Sequence, residues 1–192
     1  CAAIGQSFLM HTYEKAFEKK DIKVAQILLS HDDLGNRRRY LNAKHTIEAL
    51  LERNVIPIIN ENDSVTVEEI KIGDNDTLSA TVACLVDAQL LIILSDVEGL
   101  FNRDPSIKIK GEKAELLSHV ARVNEEIERT AGKSNNRLTV GGMYTKVIAA
   151  KKTMSFGIPT LVVNGLDEKV LEHVFSGKDV GTLFWSGKGK IR

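Results

Sequence analysis

Two clusters of Asn, Asp and Glu flank a short stretch of alternating apolar residues, and their composition suits an amino-acid ligand. The first cluster is Asn60-Glu61-Asn62-Asp63 and the second is Gly73-Asp74-Asn75-Asp76. Taken singly, each cluster is most simply a turn, because Asn and Asp are common turn formers. Taken together, they offer carboxylates for an ammonium group and amide donors for a carboxylate, as a zwitterion requires. Asp63 with Asn75 supplies both types, and Asn60 adds an amide.

Two further segments have the composition of a nucleotide site. Residues 95–99 follow an apolar run with a hydroxyl, a carboxylate and a glycine turn, which suits a ribose or a base edge. Residues 140–146 contain a Gly-Gly pair and open a predicted helix, whose free backbone amides and dipole favour phosphate oxygens. Lys146 adds a positive charge there. Neither signal is specific alone. The Gly-x-x-x-x-Gly-Lys-Ser/Thr order of a Walker loop is absent, and a Gly-Gly pair before a helix is more often a cap than a phosphate site.

The elements that must position these residues alternate between strands and helices. Apolar patterns and turn residues predict strands over 22–29, 55–59, 65–70, 90–94 and 159–163. They predict a first helix that ends in the charged run 18–20, and further helices over 41–54, 78–86 and 146–153. This alternation is typical of a mainly parallel sheet covered by helices, in which ligands bind beyond the carboxyl ends of the strands. We expect the strand 90–94 to be buried on both faces and Pro57 to lie in an edge strand.

The composition is that of one globular domain over residues 1–192 and argues against several classes of protein. The 26 Lys and Arg residues balance 26 Asp and Glu, so we expect neither nucleic acid nor a membrane surface as partner. Long apolar runs are absent, which favours a cytoplasmic protein. Two cysteines and five scattered histidines suggest neither a disulfide framework nor a zinc site, and Cys84 is expected to be a buried thiol. The basic triplet 37–39 is either a solvated, ion-pairing face or a contact with phosphate or a subunit.

In their order along the chain, these motifs resemble those of the amino acid kinase family, and within it those of the members that phosphorylate glutamate. The resemblance covers nearly all 192 residues and includes Gly5-Gln6-Ser7, Arg37 to Asn42, Asp104-Pro105 and Val180-Gly181-Thr182-Leu183-Phe184. It implies an α/β fold, a three-layer αβα sandwich with a mainly parallel central sheet, as in the carbamate kinase-like fold. It also implies transfer of the γ-phosphoryl group of ATP to the side-chain carboxylate of L-glutamate, giving L-glutamyl 5-phosphate for proline biosynthesis. Mg²⁺ would bridge the β and γ phosphates.

The resemblance assigns roles to individual residues. Lys146 would stabilise the charge on the transferred group. Asp76 would orient the catalytic lysines, which are Lys146 and a second lysine that family members carry in their first strand. Glutamate would be held by Asp63 and Asn75, with help from Asn60 and Asp74. ATP would contact Ser95, Asp96 and the loop Val140-Gly141-Gly142-Met143-Tyr144-Thr145-Lys146. No side chain is assigned to a metal.

Family members begin with a strand and a glycine-rich turn for which no counterpart is found in this sequence. We therefore expect residues 1–192 to be an amino acid kinase domain that lacks its N-terminal segment and has almost no kinase activity alone. The resemblance further implies feedback inhibition by proline and a homodimer or homotetramer. Two alternatives stay open: a family member with another substrate, and a non-catalytic fragment that binds nucleotide or assembles with partners.

Overall fold

The computed structural model describes residues 2–62, 75–105, 113–132 and 142–187, which form helices and strands in alternation. The helices are α1 (Ala2–Glu18), α2 (His31–Gly35), α3 (Arg37–Glu52), α4 (Asn75–Leu85), α5 (Glu125–Thr130), α6 (Met143–Ser155) and α7 (Val170–Phe175). The strands are β1 (Lys23–Leu29), β2 (Val55–Glu61), β3 (Leu91–Ser95), β4 (His119–Val120), β5 (Thr160–Asn164) and β6 (Thr182–Phe184). The chain divides into two units, Cys1–Leu78 and Ser79–Arg192.

The first unit contains a parallel pair of strands. β1 and β2 run in register from Lys23 opposite Val55 to Leu29 opposite Glu61. Within the described residues β2 pairs with β1 alone, so the missing N–H of Pro57 is tolerated in an edge strand, as predicted. The predicted strand over 65–70 lies outside the described residues.

The segment between β1 and α3 is ordered by two helix caps. The carboxylate of Asp33 accepts hydrogen bonds from the backbone N–H of Ser30 at 2.8 Å and from its hydroxyl at 2.6 Å, which completes a capping box for α2. These two bonds, with a weaker contribution from Arg39 at 3.6 Å, lower the pKa of Asp33 against the opposing effect of burial. Asn36 then caps α3 by accepting from two first-turn N–H groups.

These caps change the interpretation of the basic triplet. The prediction began α3 at residue 41, whereas the helix begins at Arg37, so the three arginines form its first turn. Their positive charges lie at the unfavourable end of the helix dipole, and the ion pair of Arg39 with Asp33 offsets part of that cost. The structure thus supports the ion-pairing interpretation for Arg39.

The second unit contains a sheet of four strands in the order β3-β5-β6-β4. β3 pairs with β5 and β4 with β6 in parallel, while β5 and β6 are antiparallel. Counting β1 with β2, three of the four strand pairings within the described residues are parallel, which confirms a mainly parallel α/β fold. The core joins Ala80 of α4, Val147 of α6, Val162 of β5 and Phe184 of β6, all of them buried.

One prediction about β3 is wrong. The strand was expected to be buried on both faces, but Leu94 is 53% exposed, while Ile93 is buried. Cys84 is buried, as predicted. Among the described residues, no helix has both the length and the apolar character needed to cross a membrane.

A close approach of β6 to β5 requires glycine at position 181. Gly181 has φ of +72°, and a Cβ at this position would overlap the backbone carbonyl oxygen of Val162. A backbone atom in a buried strand cannot move aside as a flexible side chain can. Any other residue would therefore both strain its own backbone and push β6 away from β5.

We expect Gly181→Ala to lower the free energy of unfolding by about 3 kcal/mol or more, because overpacking adds to the left-handed backbone strain. Gly177→Ala is the matched control, since Gly177 has φ of +76° with open space around its Cβ position. That variant should lose only about 1–2 kcal/mol. Urea denaturation of both variants measures the difference, and equal losses would contradict the close approach.

Candidate functional site

The residues predicted to bind an amino acid lie in the first unit wherever the structure describes them. Asn60 is a half-buried residue near the carboxyl end of β2. Asn75 and Asp76 are the first two residues of α4, although the sequence predicted a turn there and a helix only from residue 78. Asn and Asp favour helix starts as much as turns, and a carboxylate in a first turn suits the positive end of the helix dipole. Asp63 and Asp74 lie outside the described residues.

The predicted nucleotide residues of β3 lie at the edge where two parallel strands end together. Ser95 is opposite Asn164 of β5, and the N–H of Gly165 donates to the Ser95 carbonyl at 2.7 Å. The buried Ser95 hydroxyl donates to a carboxylate oxygen of Asp96 at 3.2 Å. Asp96 itself is exposed at this carboxyl edge, the position where ligands of parallel sheets bind.

The start of α6 has the character of an anion site. Gly142 is the N-cap of α6 and has no side chain to bond the first-turn N–H groups, whereas Asn124 caps α5 through its carboxamide at 2.9 Å from the N–H of Ile127. Both the N–H and the hydroxyl of Thr145 donate back to the carbonyl of Gly142, at 3.2 and 2.7 Å. Lys146 follows in the first turn and is only 8% exposed. Val140 and Gly141 lie outside the described residues.

Two lysines fix α6 to its neighbours. The ammonium of Lys151 lies 2.6 Å from a carboxylate oxygen of Glu128 in α5, and the Glu128 side chain is only 7% exposed. The ammonium of Lys152 donates to the Thr81 hydroxyl of α4 at 2.6 Å. These contacts hold the helix that carries Lys146 at a fixed position against α4 and α5.

A cavity of about 600 Å³ lies between the loop after β3, the end of α5 and the start of α6. This volume is within the range of pockets that bind small molecules. The described residues that line it are Val97, Gly99, Leu100, Phe101, Asn102, Arg103, Asp104, Pro105, Arg129, Thr130, Ala131, Gly132 and Met143. The cavity therefore brings together two of the segments predicted to bind nucleotide, the loop that continues from Asp96 and the first residue of α6.

Sequence reasoning missed the third side of this cavity. Residues 129–132 belong to the end of α5 and the turn after it, and no helix was predicted there. The signal was present: Asn124 is a favoured N-cap, Glu125 and Glu126 suit a first helical turn, and Gly132 suits a helix end. Of the residues predicted to bind ATP, Met143 lines the cavity; Ser95, Asp96 and Lys146 do not.

Comparison with known proteins gives the family. A family model described as the amino acid kinase family matches residues 1–164, which is most of the chain. The chain belongs to the amino acid kinase family. The match runs through both structural units, since the first ends at Leu78.

Curated members of this family are similar along almost the whole chain. A protein named glutamate 5-kinase from Geobacter sulfurreducens is 52% identical over 190 residues, which cover 99% of this chain and 50% of the relative. A protein of the same name from Clostridium tetani is 51% identical over 183 residues, covering 95% of this chain and 67% of the relative. The chain spans about half the length of the first of these relatives.

Solved structures of distantly similar kinases share this fold. An isopentenyl phosphate kinase from T. acidophilum has a TM-score of 0.59 at 15% identity and covers 93% of this chain and 66% of that one. A UMP kinase from Bacillus anthracis has a TM-score of 0.54 at 16% identity, with 88% of this chain and 60% of that one covered. At such identities the likeness concerns the fold alone.

The ion pair between α5 and α6 should stabilise the wall of the cavity. We expect Lys151→Met to lower the free energy of unfolding by about 2 kcal/mol, because the buried Glu128 carboxylate loses a charged partner. Glu125→Gln is the control, since its pair with Arg129 in the same helix is solvent-exposed and should contribute less than about 0.5 kcal/mol. Losses of equal size in urea denaturation would contradict this difference.

Proposed function

We propose that this protein transfers the γ-phosphoryl group of ATP to the side-chain carboxylate of L-glutamate. The product would be L-glutamyl 5-phosphate, the first intermediate of proline biosynthesis. The observation that carries this proposal is the identity of about 50% along nearly the entire chain to proteins named glutamate 5-kinase. The cavity between the β3 loop and the start of α6 supports it, because it adjoins the segments expected to bind nucleotide.

In this proposal the two units divide the substrates between them. Glutamate would be bound by residues of the first unit, with Asp63 and Asn75 as the main contacts and Asn60 and Asp74 as additional ones. ATP would be bound in the second unit by Ser95, Asp96 and the segment from Val140 to Lys146, with its nucleoside part in the cavity. Polar groups at the carboxyl ends of β2 and β3 suit both assignments.

The chemistry needs little beyond positioning and charge stabilisation. A glutamate carboxylate is ionised at neutral pH, so it can attack the phosphorus without a general base. Negative charge then develops on the transferred oxygens, and the ammonium of Lys146 would stabilise it from a position that is largely closed to water. Asp76, in the first turn of α4, would orient the catalytic lysines.

Magnesium fits this arrangement as part of the nucleotide substrate. Among the described residues no group of three or more His, Cys, Asp or Glu side chains could hold a metal ion. Mg²⁺ commonly binds through substrate phosphates with only one or two carboxylates, so a complete protein cage is not required. When bound with ATP, the ion would neutralise charge on the β and γ phosphates.

The remaining proposals concern the protein as a whole. We propose that residues 1–192 belong to one amino acid kinase domain, which is supported by a family match that crosses the boundary between the units. Location in the cytoplasm, where ATP and glutamate are available, follows from the proposed reaction. Inhibition by proline and assembly into a homodimer or homotetramer follow from the resemblance to the family.

Substrate profiling tests the function directly. With MgATP, the intact protein should release ADP at least about a hundredfold faster with L-glutamate than with aspartate, N-acetylglutamate or UMP. Discrimination of this order is expected of a site that hydrogen-bonds one ligand. Preference for another acceptor would assign the chain to a different member of the family. ATP binding without any phosphoryl transfer would indicate the non-catalytic alternative.

We expect Lys146→Ala to reduce the turnover number of the intact protein by about a hundredfold or more, because its charge acts on the transition state. Lys178→Ala is the control, since Lys178 is an exposed lysine of the second unit that neither lines the cavity nor belongs to the predicted ATP residues. That control should retain turnover within about threefold of the wild type. Near-normal turnover of folded Lys146→Ala would remove Lys146 from the site.

We expect Asp63→Ala and Asn75→Ala to raise KM for glutamate by about tenfold or more, with little change in KM for ATP, because they remove contacts with the amino acid alone. Asn36→Ala is the control, since Asn36 caps α3 and its loss should reduce stability without affecting either constant. An equal rise of both constants in steady-state kinetics would show that the two residues do not select glutamate.

A further inference from the structure

Thr182 is a buried polar residue whose hydroxyl bonds a distant part of the chain. It is the first residue of β6 and is fully buried. Its hydroxyl oxygen accepts a hydrogen bond from the backbone N–H of Leu100 at 2.8 Å, across 82 positions of the sequence. A buried N–H requires a partner, so this bond constrains the backbone around Leu100.

Leu100 lies within the loop that lines the cavity. Its carbonyl accepts from the N–H of Leu117 at 2.8 Å, and Asn102 forms two hydrogen bonds with Glu115, at 2.9 and 3.0 Å. One side of the loop is therefore bonded to residues 115–117 and the other side to Thr182. The next residues, 101–105, all line the cavity.

Two glycines permit this arrangement. A Cβ on Gly99, where φ is +154°, would lie 2.5 Å from the Thr182 hydroxyl oxygen. Gly181 brings β6 close to β5 immediately before Thr182. The hydroxyl thus occupies a place in which a small displacement of either backbone would break its bond to Leu100.

We propose that Thr182 is a positioning residue for the nucleotide: its hydroxyl holds the loop 97–105 in the conformation that forms the cavity wall. Thr182 is not among the residues that line the cavity, so it acts on the nucleotide site through Leu100. This inference rests on the proposed role of the cavity in ATP binding. It gives a function to the motif at 180–184, which contains none of the predicted site residues.

Three variants of the intact protein separate positioning from stability. Thr182→Val keeps the shape of the side chain but removes the acceptor, while Thr182→Ser keeps a hydroxyl. Thr160→Val is the control, because Thr160 is equally buried in the same sheet but its hydroxyl lies 2.5 Å from that of Thr153. Each variant is measured by thermal unfolding, by amide hydrogen exchange of residues 97–105, and by the KM for ATP and for glutamate.

We expect Thr182→Val to speed exchange in 97–105 and to raise KM for ATP by about tenfold, because an unpaired buried N–H displaces the loop. KM for glutamate should stay within about twofold of the wild type, since those contacts lie elsewhere. Thr182→Ser should restore KM for ATP to within about threefold, because it retains the acceptor. Thr160→Val should lower the unfolding temperature comparably while leaving exchange in 97–105 and both constants unchanged.

The outcomes distinguish this inference from the proposed function. If the wild type phosphorylates glutamate but Thr182→Val behaves like Thr160→Val, the positioning role is wrong and the proposed function stands. If exchange in 97–105 rises without a change in KM for ATP, Thr182 holds the loop but the loop does not bind nucleotide, which also overturns the inference. A wild type that neither binds nor hydrolyses MgATP would overturn both.

Discussion

The close approach of β6 to β5 determines much of the second unit. Because a Cβ on Gly181 would overlap the carbonyl oxygen of Val162, this contact is available to glycine alone. It places Thr182 beside Gly99 and allows the buried hydroxyl to bond the N–H of Leu100. The antiparallel pairing of β5 with β6, an exception among mainly parallel neighbours, thereby connects the sheet to the loop that forms the cavity wall.

A second constraint is the cost of burying polar groups in and around α6. The buried Glu128 carboxylate lies beside the Lys151 ammonium, and the Lys152 ammonium donates to the Thr81 hydroxyl. The C-terminal half of α6 is therefore held by directional contacts. The first turn contains Lys146 in a position that is largely closed to water. Under the proposed function, a helix fixed in this way would present Lys146 to the substrate without reorganisation, which is the condition for efficient charge stabilisation.

The sequence predicted the long periodic elements well, and the remaining differences have physical reasons. Apolar patterns located α1, β1, β2, β3 and β5, and the polar residues that follow the apolar runs of β2 and β3 located candidate site residues at the strand ends. The starts of α3 and α4 were placed too late, because Asn36 and Asn75 suit a turn and a helix start equally and only tertiary context decides. Leu94 shows that an apolar run does not reveal which of its residues remain uncovered. The cavity and the bond from Leu100 to Thr182 join segments far apart in sequence, which no local pattern encodes.

Under the proposed function, the fold alone cannot determine which phosphoryl acceptor is used. The chain shares its fold with structures at 15–16% identity, and one fold accommodates many ligands. The acceptor must therefore be selected by side chains of the first unit, such as Asn60 near the end of β2 and Asn75 at the start of α4. An amino acid presents opposite charges a few bonds apart. Its pocket therefore needs hydrogen-bond acceptors and donors together rather than charges of one sign. The mixture of carboxylates and amides around residues 60–63 and 73–76 meets that requirement, which a uniformly basic phosphate pocket would not.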